Sequence, residues 1–189
     1  MAIKTFTTGE VLTASDTNTY LANSGLVYVT TASATSGTVL AVDNCFTSTY
    51  DAYRIVITRC SLTAGLTGCY MQMRAGGTNT TTNYYNIRIG YDYATAAAST
   101  SATNNGAQFE LALITDTTSS ACVIDIYNPQ KALKTQYNCL GADSRTTTGG
   151  AFSSGGMLNN TTAYDGFSFT AGGQTFSNVS ITVYGYRKA

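Results

Sequence analysis

From Leu26 onward, apolar side chains return at every second position in short runs, separated by stretches of glycine, asparagine and serine. In AYRIVITRC, Tyr53, Ile55 and Ile57 fall on one face. In NVSITVYGYR, Val179, Ile181 and Val183 do the same. A period of two describes an extended strand with one face packed and the other wet. The runs that read as strands are LVYVTT, GTVLAV, AYRIVITRC, GCYMQMRA, YYNIRIGYDY, QFELALIT, ACVIDIYN, LKTQYNCLG, GAFSSGGML, GFSFTA and NVSITVYGYR. Their number and spacing predict an all-β fold, an antiparallel β-sandwich. Gly76-Gly77, Asn104-Asn105-Gly106, Gly149-Gly150, Gly155-Gly156 and Gly172-Gly173 are expected at turns or loops, where positive φ costs glycine little. The low-complexity stretch ATAAASTSATNNGA, residues 94–107, reads as a long loop.

Before Leu26 the pattern differs. Residues 3–6 read as extended, and Thr13 or Ser15 is placed to cap a short helix in which Leu12, Tyr20 and Leu21 recur at helical spacing, with Gly25 as its stop. A helix that short is marginal in water by itself. The chain is therefore expected to divide into an arm, residues 1–25, and a sandwich, residues 26–189. Leu12, Tyr20, Leu21 and Leu26 are the candidate docking side chains of the arm.

Composition narrows the chemistry. Charged residues are 11% of the 189, with ten basic against ten acidic side chains, so no net field draws the chain to nucleic acid or anionic membrane. No run approaches the ~20 apolar residues of a membrane-spanning helix, and the opening lacks the basic start and apolar core of an export signal. Histidine is absent, which removes the usual general base and the triads built on it. The carboxylates are scattered singly and read as turn residues or partners for arginine. The five cysteines include no CxxC pair, so neither metal nor cofactor is expected. Cys60 and Cys69 flank a hairpin-like SLTAGLTG, where either a cross-strand disulfide or two buried thiols would fit. Tyrosine is abundant at fourteen. Tyr84, Tyr85, Tyr91 and Tyr93 are candidates for contact with a receptor or sugar, against the alternative that most tyrosines fill the core or a subunit interface.

Three stretches carry a resemblance. TFTTGEVLTASDTNTYLANSGLVYV resembles the start of many bacteriophage virion proteins, FTSTYDAYRIVITRCSLTAGLTGCYMQMRAGG resembles a strand and hairpin of phage jelly-roll domains, and SNVSITVYGYRKA is similar to the end of such chains. The resemblance implies a non-enzymatic virion protein made in the bacterial cytoplasm. Its arm would attach to another virion protein of the tail or capsid, and its jelly-roll-like sandwich, often a homotrimer, would project outward towards a host-surface glycan. A small fibre or tail appendage is the leading expectation. A capsid decoration or head-fibre protein uses the same parts, and a stand-alone carbohydrate-binding module is the rival from another class. A carboxylate-based glycan hydrolase would need two acids about 5 to 10 Å apart in a cleft.

Overall fold

The computed structural model describes residues 7–16, 25–143, 145 and 149–188. Within the arm, α1 (Ala14–Asp16) is one short turn. Thirteen strands follow: β1 (Leu26–Ala34), β2 (Val39–Val42), β3 (Ala52–Leu62), β4 (Thr67–Ala75), β5 (Thr78–Asn79), β6 (Tyr84–Asp92), β7 (Ala98–Gly106), β8 (Phe109–Thr115), β9 (Ser120–Tyr127), β10 (Thr135–Ala142), β11 (Gly150–Leu158), β12 (Gly166–Thr170) and β13 (Phe176–Tyr186). All the runs expected from alternation are strands, and they form two antiparallel sheets packed as a sandwich.

One sheet has the order β1-β13-β3-β9-β10-β11-β6-β7; the other runs β2-β12-β4-β5, with β8 also paired to β4. The subset β1-β13-β3-β9 facing β2-β12-β4-β8 is a jelly roll: β1 leads to β2, β3 to β4, β8 to β9 and β12 to β13, each step crossing from one sheet to the other. Two insertions widen the first sheet. The β6–β7 hairpin enters between β4 and β8, and the β10–β11 hairpin between β9 and β12.

The core lies between the sheets. Ile55 and Ile57 of β3, Val179, Ile181 and Val183 of β13, and Phe167 and Phe169 of β12 are buried, as their alternation requires. Strand β8 is buried along nearly its whole length, because it covers the inner face of the widened part of the large sheet. That packing is close: a Cβ on Gly141 of β10 would sit 2.8 Å from the carbonyl carbon of Ala112, nearer still to its oxygen, and 3.0 Å from Cys122 Cβ. Aromatic rings complete the core, with Tyr84 on Phe109 at 4.7 Å and Phe109 on Tyr137 at 4.3 Å between centroids.

Two expectations are corrected. Residues 98–106, within the stretch read as a loop, are strand β7, paired with β6 from Tyr84↔Gly106 to Tyr91↔Ala98. An edge strand whose backbone is satisfied on one side needs no large apolar side chain, so β7 carries none; Ser101 Oγ ties it inward by donating to Glu110 Oε2 at 2.6 Å. Gly155 and Gly156 lie inside β11 rather than at a turn. A Cβ on Gly156 would come 2.7 Å from Asn86 Cα, so close approach of β6 requires glycine there.

Candidate functional surfaces

Residues 7–16 are held by local hydrogen bonds. Glu10 N donates to Thr7 O at 3.0 Å, and Thr7 N donates to Glu10 Oε2 at 3.2 Å. Thr13 Oγ1 accepts from Asp16 N at 3.1 Å while Thr13 N donates to Asp16 Oδ2 at 3.1 Å, a reciprocal cap on α1 that uses Thr13 rather than Ser15. The apolar side chains of these residues face solvent: Val11 is 78% exposed, and Leu12 is exposed too. Leu26, the first residue of β1 and opposite Tyr186, is also exposed. Tyr20 and Leu21 lie outside the described residues. Alternation gave no reason to single out Val11, which is the most open apolar side chain among the described residues of this segment.

The YGYRKA ending has a packing reason. Gly185 faces inward, and a Cβ there would lie 2.6 Å from Cε2 of the Tyr50 ring, so only glycine admits that ring. Tyr184 and Tyr186 alternate outward. Tyr184 meets Tyr28 edge-on at 6.3 Å, and Arg54 stands 5.5 Å over Tyr186. The basic tail folds back, with Lys188 Nζ 2.6 Å from Asp51 Oδ1 and Lys131 Nζ 2.7 Å from Asp51 Oδ2.

Of the four singled-out tyrosines, Tyr84 is not available to a receptor. It is fully buried, its hydroxyl donates to Thr80 O at 3.0 Å and accepts from Met73 N at 2.8 Å, and burial pushes its pKa up. Because Tyr84 and Tyr85 are adjacent in a strand, only one can point inward. Tyr85 is half-buried, whereas Tyr91 (60%) and Tyr93 are exposed.

The acids are occupied by partners. Asp125 takes a two-pronged contact from Arg54, at 2.8 Å from Nε and 2.7 Å from Nη2, and accepts from the Tyr186 hydroxyl at 2.7 Å. Those bonds, Arg54 first, hold the Asp125 carboxyl below the usual range. Burial, followed by the bond to Asp125, pushes Tyr186 up to about 12. Arg74 pairs with Asp43 at 2.6 Å, Arg145 pairs with Asp143, and Arg88 Nε lies 3.2 Å from Glu110 Oε1. Among the described residues no three His, Cys, Asp or Glu side chains gather as a metal site. All five cysteines are buried free thiols. Cys60 and Cys69 are 4.0 Å apart between sulfurs, and burial pushes the Cys69 thiol up.

The outer face of the large sheet departs from the composition of a solvated surface. Cross-strand register sets Val56, Val123, Leu140, Ser153 and Ile89 in one row, and Ala121, Ala142, Ala151 and Tyr91 in the next. Across β3, β9, β10 and β11 the small side chains leave a shallow apolar furrow of about 650 Å³, with Leu140 rising from it at 66% exposure. Beside it, Ile87 (55%), Ile89 (49%) and Tyr91 form a ridge along β6. In β6 the apolar members of the alternation thus point outward, while Asn86 and Arg88 point in. The YYNIRIGYDY pattern shows that the strand has an apolar face but not on which side of the sheet that face lies. In comparisons with known proteins, neither a family model nor a curated protein matches the chain.

Proposed function

We propose that this chain is a non-enzymatic structural protein of a bacteriophage virion, a small fibre or tail-associated appendage. In this reading residues 1–25 attach it to another virion protein, and the jelly-roll sandwich projects towards the host. The observation that carries the reading is the segment ahead of β1, whose Val11 and Leu12 stand in solvent although burying them elsewhere would be favourable. The sequence resemblance of both ends supplies the class; a sandwich fold alone would not, because jelly rolls host many functions. The partnering of Asp43, Asp125, Asp143 and Glu110 by arginine agrees with a structural role. Contact with a host glycan falls to Tyr85 and Tyr93.

The test is made on particles of the phage that carries the gene. Mass spectrometry should find the chain in purified virions in several copies. Particles made without the gene should take up added full-length chain, and Val11→Asp with Leu12→Asp should abolish that uptake. Virions devoid of the chain would end the proposal. Uptake unaffected by the two substitutions would remove the arm from it.

A further inference from the structure

We infer that the outer face of the eight-stranded sheet is a self-association surface, on which a second copy of this chain packs face to face. The two-fold axis lies in the interface, along the strands between β10 and β11. The inference stands apart from the virion reading, and it departs from the threefold assembly that the resemblance implies.

The first argument is the inversion in β6. A half-buried strand places its apolar side inward, yet here Ile87, Ile89 and Tyr91 face out and Asn86 and Arg88 face in. Arg88 is held by Glu110 and by the Phe152 ring, 5.4 Å from its guanidinium carbon, so the inward face is settled without the isoleucines. The outward face is then apolar, with none of the described residues over it.

The second argument is area. From their exposed fractions, Ile87, Ile89, Tyr91 and Leu140 alone present roughly 450–500 Å² of largely apolar surface, already in the upper part of the ~300–600 Å² range of the largest patch on a typical monomer, and the adjoining furrow extends it towards the ~800 Å² that each partner gives a standard interface.

The third argument is shape. Counting across β6, β11, β10 and β9, one row alternates tall and small, Ile89, Ser153, Leu140 and Val123, and the next sets Tyr91 against three alanines, Ala151, Ala142 and Ala121. The stated axis exchanges β6 with β9 and β11 with β10. Tyr91 of one copy then lies over Ala121 of the other, Ile89 over Val123, and Leu140 over Ser153. In these two rows the patch is its own complement, as a two-fold contact requires. In the next row Ile87 lies over Asp125, and charge does not oppose the contact there because Arg54 already neutralises that carboxylate. Tyr91 in this arrangement serves the second copy rather than a receptor.

The test uses the full-length chain in sedimentation equilibrium. Twice the chain mass is expected, and Leu140→Asp or Ile89→Asp should weaken association at least tenfold while leaving the circular dichroism unchanged, since both side chains are exposed. As a positional readout, Tyr91→Cys combined with Ala121→Cys places two thiols in one row three strands apart, about 14 Å on one chain, whereas on facing copies they stand across one gap of about 10 Å between sheets. That gap exceeds the ~7 Å a disulfide spans, so a short bismaleimide, with the native thiols buried, should yield a covalent dimer on a denaturing gel. A wild-type chain at monomer or trimer mass overturns the inference. So does a dimer indifferent to Leu140→Asp and not cross-linked, which would point to pairing through the β1 or β7 edge.

Discussion

Replacing Gly141 by alanine sets two physical effects of opposite sign against each other. At a glycine whose backbone conformation suits any residue, alanine restricts the unfolded chain and stabilises by about 0.4–1 kcal/mol; Gly141 is not among the positive-φ positions, so that gain applies to it. Against it, the new Cβ would stand 2.8 Å from the carbonyl carbon of Ala112, where carbon atoms rest at about 3.5–4.0 Å. The obstacle is the backbone of β8, fixed by the buried Phe109, Leu111 and Leu113, and no side chain can swing away to relieve it. Strand β8 must retreat from β10 by roughly an ångström, and overpacking of this kind costs about 1–3 kcal/mol or more. The clash therefore wins, by about 2 kcal/mol net. For a domain of this size that lowers Tm by roughly 4–8 °C. The assay is thermal and urea unfolding followed by circular dichroism, with Gly68→Ala as control. A Cβ there meets nothing nearer than 3.4 Å, so that change should be neutral or slightly stabilising. A Gly141→Ala protein at least as stable as wild type would refute the reasoning, because β8 would not then be pressed against β10.

The Arg54–Asp125–Tyr186 group predicts behaviour at both ends of the pH range. Asp125 is depressed in the folded state, so its contribution is full at neutral pH and fades as pH falls through its lowered value; the Tm difference between wild type and Asp125→Asn should shrink on acidification. Tyr186 is raised to about 12, so its contribution holds below the usual tyrosine range and is lost as pH rises towards 12, a limb that Tyr186→Phe should flatten in alkaline melts. Tyr84→Phe leaves the Met73 N–H without its acceptor inside the core and should cost about 1–3 kcal/mol, read by urea unfolding; no loss would mean that water replaces the hydroxyl. With every cysteine buried, native protein should react slowly with a thiol reagent and release five equivalents on denaturation, and fast native labelling would contradict the packing of the sandwich.

The sequence by itself determined where strands form. Alternation at Tyr53–Ile57 and Val179–Val183 is a local property of the chain, and the reciprocal cap at Thr13 needs only residues three apart. Strand β7 escaped because its small polar residues pair backbone to backbone and bury little, and that pairing leaves no mark in side-chain pattern. The sheet order was decided only in three dimensions, since β1 lies beside β13 through contacts some 150 residues apart that no local pattern encodes. The candidate surfaces divide the same way. The segment ahead of β1 stood out because it breaks the period of two, whereas Tyr84 was misread as a surface residue and the Ile87–Ile89–Tyr91 ridge went unseen for one reason. A period of two defines two faces of a strand; which face meets the core is set by where β8 and Arg88 pack, and that is a property of the assembled sandwich.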